Sequence, residues 1–551
     1  MREIVEANIK GIIKELYGLH IEGFVIDKPK DEKLGDLATN VAFLLSKELK
    51  LDPKQVAQEL AKKLSDENVS AKATGGFINF TFSEMYLKEE FERLVLEGEA
   101  YFVENLGCGE KVQVEFVSAN PTGPLHLGHG RGAVVGDVLA NLLETFGYNV
   151  TREYYINDAG YQVYLLGLSI LYRYKDLLNQ HDEELKEIYE REGYKGGYIV
   201  QLAKDAKAFY GDTLLKEDKE KAIDLLKDYG VKRLLEEIKS TLELLNIRFD
   251  VWYSERTLYQ GGKVQEVINA LTEKGYTYEK DGALWFRSTQ FGDDKDRVLR
   301  RSDGTYTYFA SDVAYHWEKY KRGFTRVINI WGADHHGYLP RLKGALLALG
   351  VPPDWLSVQF VQMVRLFSQG QEMRMSKRTG EFITLKELVE EAGPDAVRFI
   401  FLTKRSDTPL DFDIDLLKKK SSENPVFYVQ YMHARIRGVF REVLSRFGID
   451  ADTERLENHV YSLKEEQEIK LIKRVVFLKD QIKEAVVKMH PHIITYELIE
   501  LAKDFHNYYN HYRIMVENRS VMLSRLALLK GIERSVKFAL KLMGVTAPDS
   551  M

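Results

Sequence analysis

Cysteine is almost absent from this chain: Cys108 is the only one in 551 residues. That excludes an intramolecular disulfide and fits a reducing compartment. No Cys/His spacing suggests a zinc site, so no protein-held metal is expected. Long apolar runs are missing too. None approaches the ~20 residues of a membrane span, and the opening Met1-Arg2-Glu3-Ile4-Val5 reads as an amphipathic helix without the apolar core of a signal peptide. A cytoplasmic protein with no membrane partner is the expectation. Internal repeats and low-complexity tracts are also absent. A net positive charge is lacking: the balance of 78 Lys+Arg against 84 Asp+Glu, −6, argues against a generally basic nucleic-acid coat. From Ser421 to Met551, however, 20 Lys+Arg stand against 17 Asp+Glu, a local +3 that leaves −9 for the rest, and six of the 13 histidines lie there. Polyanion binding would have to use local patches in that part. What is present is enough apolar content, 44%, for packed cores, in a chain too long for one core. Three or four domains are expected.

The most informative segment runs from Glu115 through Phe116-Val117-Ser118-Ala119-Asn120-Pro121-Thr122-Gly123-Pro124-Leu125-His126-Leu127-Gly128-His129. Val112, Val114 and Phe116 alternate as in a strand, two prolines and two glycines then break the pattern, and Ala133, Val135, Val138, Leu139, Leu142, Leu143 and Phe146 follow at helical spacing up to Gly147. The unpaired N–H groups and dipole of such a helix start favour a phosphate. His126 and His129 fall on the first turn, and Gly128 leaves room for a purine or ribose. A bare H-x-G-H pattern is equally compatible with two surface caps.

A second segment, Arg374-Met375-Ser376-Lys377-Arg378-Thr379-Gly380, reads on its own as a solvated basic loop. Together and in this order, the two segments resemble the class I aminoacyl-tRNA synthetase signatures. The first has Leu127 in the usual isoleucine position of His-Ile-Gly-His. The second matches Lys-Met-Ser-Lys-Ser with Arg374 for the first lysine, which keeps the charge and changes its geometry. The resemblance implies a split ATP site, with Pro121, Gly123, His126, Gly128 and His129 on one side and Met375, Ser376 and Lys377 on the other. His126, His129, Arg374, Ser376 and Lys377 would act in catalysis. Lys377 is the candidate that meets charge developing on the transferring phosphoryl group.

Three segments organise the chain. Residues 1 to about 105 mix helical stretches such as Val56 to Leu64 with a strand, Gly76 to Phe82, and read as an α+β N-terminal domain. On that strand Phe77 and Asn79 share a face that could stack and hydrogen-bond a base, although core packing of the phenylalanines fits as well. Residues 106–420 alternate strands (149–155, 326–331, 358–366) with helices (385–392), a Rossmann-like doubly wound α/β pattern interrupted by an insertion over about 165–300. Such sheets bind ligands at the strands' carboxyl ends, where the turn 120–129, the patch 331–336 and the loop 374–378 can converge. Residues 421–551 read as an all-α helical bundle.

The pocket residues suggest a cationic substrate. Glu115, Ser118 and Asn120 sit on the turn, and Tyr308 and Asp312 share a face if 308–315 is helical. Two carboxylates and a phenol suit a guanidinium, with its five donors, although Asp312 could equally be in an ordinary helix ion pair.

At this point the run Arg301 to Asp312, the patch Gly332-Ala333-Asp334-His335-His336 and the step Asp395-Ala396-Val397-Arg398 resemble the arginyl-tRNA synthetase family along essentially the whole chain. The resemblance implies that Asn120 holds the α-groups of L-arginine, that Glu115, Tyr308 and Asp312 surround its guanidinium, and that Ser118, His129 and His336 complete the site. Phe77 and Asn79 would contact the elbow of tRNA(Arg). Tyr428, Tyr431, His433, Arg435, Phe505, His506 and Tyr509 would lie in an anticodon-binding domain. ATP with substrate-borne Mg²⁺ and a monomeric enzyme complete the expectation, as does a need for tRNA in the first step.

Three rivals remain open from the residues alone. Synthetases for glutamine or glutamate need no paired carboxylates, and one for cysteine normally brings zinc-ligating cysteines. A small nucleotidylyltransferase would have no use for two further domains. A non-catalytic RNA-binding paralogue would be expected to have lost His126, His129 or Lys377.

Overall fold

The structure is a computed structural model that describes residues 1–373 and 383–551. Arg374, Met375, Ser376 and Lys377 therefore lie outside the described residues.

The N-terminal part is α+β, as expected. Its four strands order as 26–27, 37–39, 77–82 and 69–74, all antiparallel. The helix Pro53–Leu64 shows the local logic: Asp52 caps it by accepting from the Lys54 N–H, Pro53 sits at its first position, and Val56, Ala57, Leu60, Ala61 and Leu64 form the buried stripe. On the strand Phe77–Phe82, the residues Ile78, Phe80 and Phe82 face the core.

The central layer is a five-stranded parallel sheet. We label its strands β1 (Lys111–Glu115), β2 (Asn149–Ile156), β3 (Val251–Ser254), β4 (Arg326–Gly332) and β5 (Leu356–Val361). Their order is β5-β4-β1-β2-β3. The chain winds outward from β1 to β3, then returns to the other side of β1 with β4 and β5. The order reverses between β1 and β4, and the crevice above their carboxyl ends is where such sheets hold ligands. Helix α1 (Leu127–Thr145) follows β1, and helix α2 (Tyr308–Lys321) precedes β4. Gly136 lets α1 lie close on the sheet, because a Cβ there would sit 2.3 Å from the Phe116 ring.

Two expectations are corrected here. The insertion is not one block over 165–300. A helical unit (Tyr161–Leu244, with its own core around Leu166, Ile199 and Leu226) and a small three-stranded antiparallel unit (Thr277–Arg300) are separated by β3, which pairs with β2 inside the main sheet. Charged helical sequence on one side and a four-residue strand on the other concealed that return. The expected strand 358–366 is likewise two, since β5 ends at Val361 and Val364–Ser368 joins a different sheet with Leu410–Asp413.

The C-terminal part is the expected bundle, built on helices Pro425–Phe447, Glu466–Lys488, His492–His511 and Arg519–Leu542. It packs on the N-terminal part through Lys473–Asp36 (2.6 Å), the Met1 amino group on Asp480 (3.3 Å) and Phe82 against Phe477. Among the described residues no helix is long and apolar enough to cross a membrane.

Candidate active site

After β1 the backbone is strained. Val117 and Ser118 have φ of 67° and 41°, a left-handed conformation costly for a β-branched residue and often stored at functional sites. Neighbouring contacts hold it: the Ser118 hydroxyl donates to Glu115 (2.9 Å) and accepts from the Tyr155 N–H (3.1 Å), while the Tyr154 hydroxyl donates to the Ala119 carbonyl (2.8 Å). Asn120 donates to Gln162 (2.6 Å) at the start of the helical unit, whose Tyr198 hydroxyl donates to the Thr122 carbonyl (2.8 Å). Gly123 has its Cα beneath Tyr198, where a Cβ would meet the phenol oxygen at 3.2 Å. Pro121 is buried, so it shapes the turn and offers ATP no surface.

His126 is the N-cap of α1 and His129 is its third residue. Each ring's Nδ1 accepts a backbone N–H: His126 from Gly128 (3.2 Å), His129 from His126 (3.3 Å). The rings stack with centroids 3.7 Å apart. An accepting Nδ1 puts the proton of a neutral imidazole on Nε2, and both rings lie at a helix N-terminus, a place that suits phosphate oxygens. The residues that follow the undescribed stretch are tied to this turn. Thr384 bridges to His126, and Leu385 N–H donates to the Leu125 carbonyl (2.8 Å).

A cluster of acidic side chains adjoins this turn through Glu115, which accepts from Ser118 and faces Asp312. Helix α2 is helical as expected, so Tyr308 and Asp312 share a face; Tyr308 is 55% exposed with its hydroxyl beside Gly160. Asp312 accepts from the Tyr338 hydroxyl, and burial holds its carboxyl up at about 6. Glu115 is not an open acceptor, which corrects the expectation that it would offer its edge to a guanidinium. Its Oε2 is 2.5 Å from Lys319 Nζ, its Oε1 accepts from Ser118, and only 7% of the residue is exposed. His336 lies at the surface, against the Phe360 ring.

Sequence reasoning missed Glu255, just after β3. It is 3% exposed, Oε1 accepts from Tyr259 (3.2 Å), and Oε2 makes no well-formed hydrogen bond among the described residues, with Tyr155 as its polar neighbour. Burial, with Asp312 and Asp158 nearby, pushes its carboxyl up to about 7. A buried acceptor left unmade is costly, and a cationic donor would relieve it. A lone glutamate 140 positions from the signature turn carries no sequence signal of this role.

The outer residues divide. Phe77 is 48% exposed, edge-on to Phe43, but Asn79 is 4% exposed between the flanking strands, so it is not the open base-reading group expected. In the C-terminal bundle Tyr428, Tyr431, Arg435 and Tyr509 are partly exposed, with the Arg435 guanidinium over Tyr431 and Tyr509 at 4.7 and 4.6 Å. Phe505 is fully buried and cannot stack on a base; it is core. His506 is 6% exposed beneath Tyr428 and Tyr431, and His433 is 1% exposed beside Glu533, so both support the surface from inside. Aromatic spacing on a helix does not separate the buried stripe from its flank.

A doubly wound sheet with paired histidines at the start of the first crossover helix, set between an α+β unit and a helical bundle, fits a class I aminoacyl-tRNA synthetase. Family models agree: that of the class I tRNA synthetase (R) catalytic domain matches residues 91–411, the DALR anticodon-binding domain 429–551 and the arginyl-tRNA synthetase N-terminal domain 3–82. Over the full length of both chains, the sequence is 57% identical to the arginine–tRNA ligase of Aquifex aeolicus, and it is 43% identical to that of Bacillus subtilis over 100% of this chain and 99% of the other. The solved Thermus thermophilus arginyl-tRNA synthetase shares the fold over 100% of both chains, with a TM-score of 0.79 at 23% identity. The chain belongs to the arginyl-tRNA synthetase family.

Proposed function

We propose that the chain carries out its family's reaction, the ATP-dependent attachment of L-arginine to tRNA(Arg). The carboxylate of arginine attacks the α-phosphorus of ATP, forming arginyl-adenylate and releasing diphosphate. The terminal adenosine of tRNA then takes the acyl group and AMP leaves. The observation that carries this reading is the acidic cluster of partly exposed Asp312 and buried Glu255, joined through Glu115 to the turn that carries the stacked histidines at the reversal of strand order.

The residue roles follow. Asp312 and Glu255 receive the guanidinium, and a neutral side chain would leave both carboxylates unpaired. Tyr308 covers it from the open side, and Asn120 meets the α-groups. His126 and His129 donate to ATP phosphates, and Lys377 meets the charge that develops on the α-phosphate and diphosphate. Mg²⁺ would come with ATP as part of the substrate and offset charge on its phosphates. Among the described residues no group of three or more His, Cys, Asp or Glu is placed to hold a metal. The exposed aromatic and cationic side chains Phe77, Tyr428, Tyr431, Arg435 and Tyr509 are the tRNA-facing set. Charging bulk tRNA with each radiolabelled amino acid in turn is the test. Arginine alone should be incorporated, and efficient charging with another amino acid overturns the assignment.

A further inference from the structure

The parallel register aligns Asn329 of β4, Glu115 of β1 and Glu153 of β2 in one row across the sheet. Paired residues of neighbouring strands point to the same face, and here that face is covered by α2. All three side chains are buried. Two carboxylates side by side in a dry interior require counter-charges. Helix α2 and the residue after it supply both, three positions apart: Lys319 on Glu115 at 2.5 Å and Arg322 on Glu153 at 2.7 Å.

Lys319 is itself fully buried, and each direction of its ammonium is used. It donates to Glu115 Oε2 and to Asn329 Oδ1 (3.2 Å), and Nζ lies 4.4 Å from the centre of the Tyr315 ring. Asn329 Nδ2 in turn donates to His316 Nε2 (2.8 Å), so the proton of that neutral imidazole is on Nδ1, which donates to the Asp312 carbonyl (2.8 Å). The chain of contacts therefore ends on the backbone of a pocket carboxylate. Tyr308, Asp312 and Lys319 follow one stripe of α2, seven residues or about two turns separating the last two.

We propose that Lys319 is a specificity-determining positioning residue. By cancelling Glu115 it leaves Asp312 and Glu255 as the charge that selects the substrate's cation, and by pinning α2 to β1 and β4 it sets the height of Asp312 in the pocket. The inference rests on the reading of this pocket as the guanidinium site. Without Lys319 three carboxylates crowd one cation. With Lys319 but a neutral residue at 115, an uncompensated buried ammonium repels the substrate.

The test is a double-mutant cycle in the full-length protein, reading arginine and ATP KM and kcat in charging of bulk tRNA, with citrulline as the neutral competitor. Glu115→Gln and Lys319→Met should each raise the arginine KM by about 30-fold or more while the ATP KM moves within about threefold. The double variant, which removes both charges, should recover to within about tenfold of wild type. A double variant no better than the worse single, or an ATP KM rising in step with that for arginine, overturns the proposal. If Lys319→Met does not fold but the double variant folds and charges, the pairing is supported; a double variant that does not fold counts against it. Asp312→Asn separates the two readings. If it leaves the arginine KM unchanged, the pocket assignment itself fails. If it raises that KM while the cycle shows no compensation, only the role of Lys319 fails.

Discussion

Asp137, on the helix that opens with the paired histidines, accepts a 2.5 Å hydrogen bond from Arg398, and both side chains are buried. Arg398 also donates to the carbonyls of Met543 (2.8 Å) and Leu245 (2.7 Å). One guanidinium thus joins the ATP-side helix, the end of the last C-terminal helix and the end of the helical insertion. Asp395, one turn earlier, accepts from Thr546 N–H (3.1 Å) and Gln430 (2.8 Å). The Asp395-Ala396-Val397-Arg398 step is therefore a clamp on the chain's last residues.

Removing the guanidinium with Arg398→Met leaves Asp137 buried with a long hydrogen bond from Asn141 (3.4 Å) and Arg152 at 3.9 Å. The cost should be about 3 kcal/mol or more. Urea denaturation of the variant checks it, and an unchanged midpoint argues against the clamp.

Lys377→Ala should slow adenylate formation about 10²- to 10³-fold, the cost of losing one transition-state donor of about 3 to 4 kcal/mol. Arginine-dependent ATP–diphosphate exchange with tRNA present measures it. A change of only a few-fold removes Lys377 from the chemistry.

Asp312→Asn and Glu255→Gln should each raise the arginine KM by about 10²-fold and relax discrimination against citrulline, because each takes a charge-assisted acceptor from the guanidinium. If discrimination holds in both, another group selects the cation.

Acid should weaken arginine use. Burial pushes Asp312 up to about 6 and Glu255 up to about 7, and only their ionised forms attract a guanidinium. Below about pH 7 kcat/KM for arginine should fall. Stability without arginine should follow the opposite sign: both folded values lie above the ordinary ones, so these groups favour the folded state most in acid. That contribution is lost as pH rises from about 4 to about 7. Arginine should therefore raise the thermal midpoint more at pH 8 than at pH 6, and a shift independent of pH would falsify the assignment.

Phe505→Ala should destabilise the C-terminal bundle by about 3 to 5 kcal/mol, the cost of a large cavity. Arg435→Ala should leave stability nearly unchanged but weaken tRNA binding and flatten its salt dependence by about one charge. Filter binding across a salt series, with a melt of each variant, distinguishes core from contact surface.

Much was legible without coordinates. The order strand, turn, histidines, helix is local, and so are the alternation of Val112 and Val114, the stop at Gly147 and the phase that puts Tyr308 and Asp312 on one face. Chain order alone also announced a doubly wound sheet between an α+β unit and a helical bundle. Other features depend on contacts between residues far apart in sequence. The return of β3 to the main sheet follows from pairing with β2 across some 95 residues of insertion. That Glu115 is matched by Lys319 follows from the register of β1 with β4 and the placement of α2 over both, a relation between residues 204 apart. Glu255 and Asp312 become one acidic site only because the segment after β3 meets helix α2, as the Tyr259–Ser311 hydrogen bond shows. Whether Phe505, Asn79 and His506 face outward was decided by neighbouring strands and helices, since a side chain's spacing fixes its phase on an element, while burial depends on what packs against that phase.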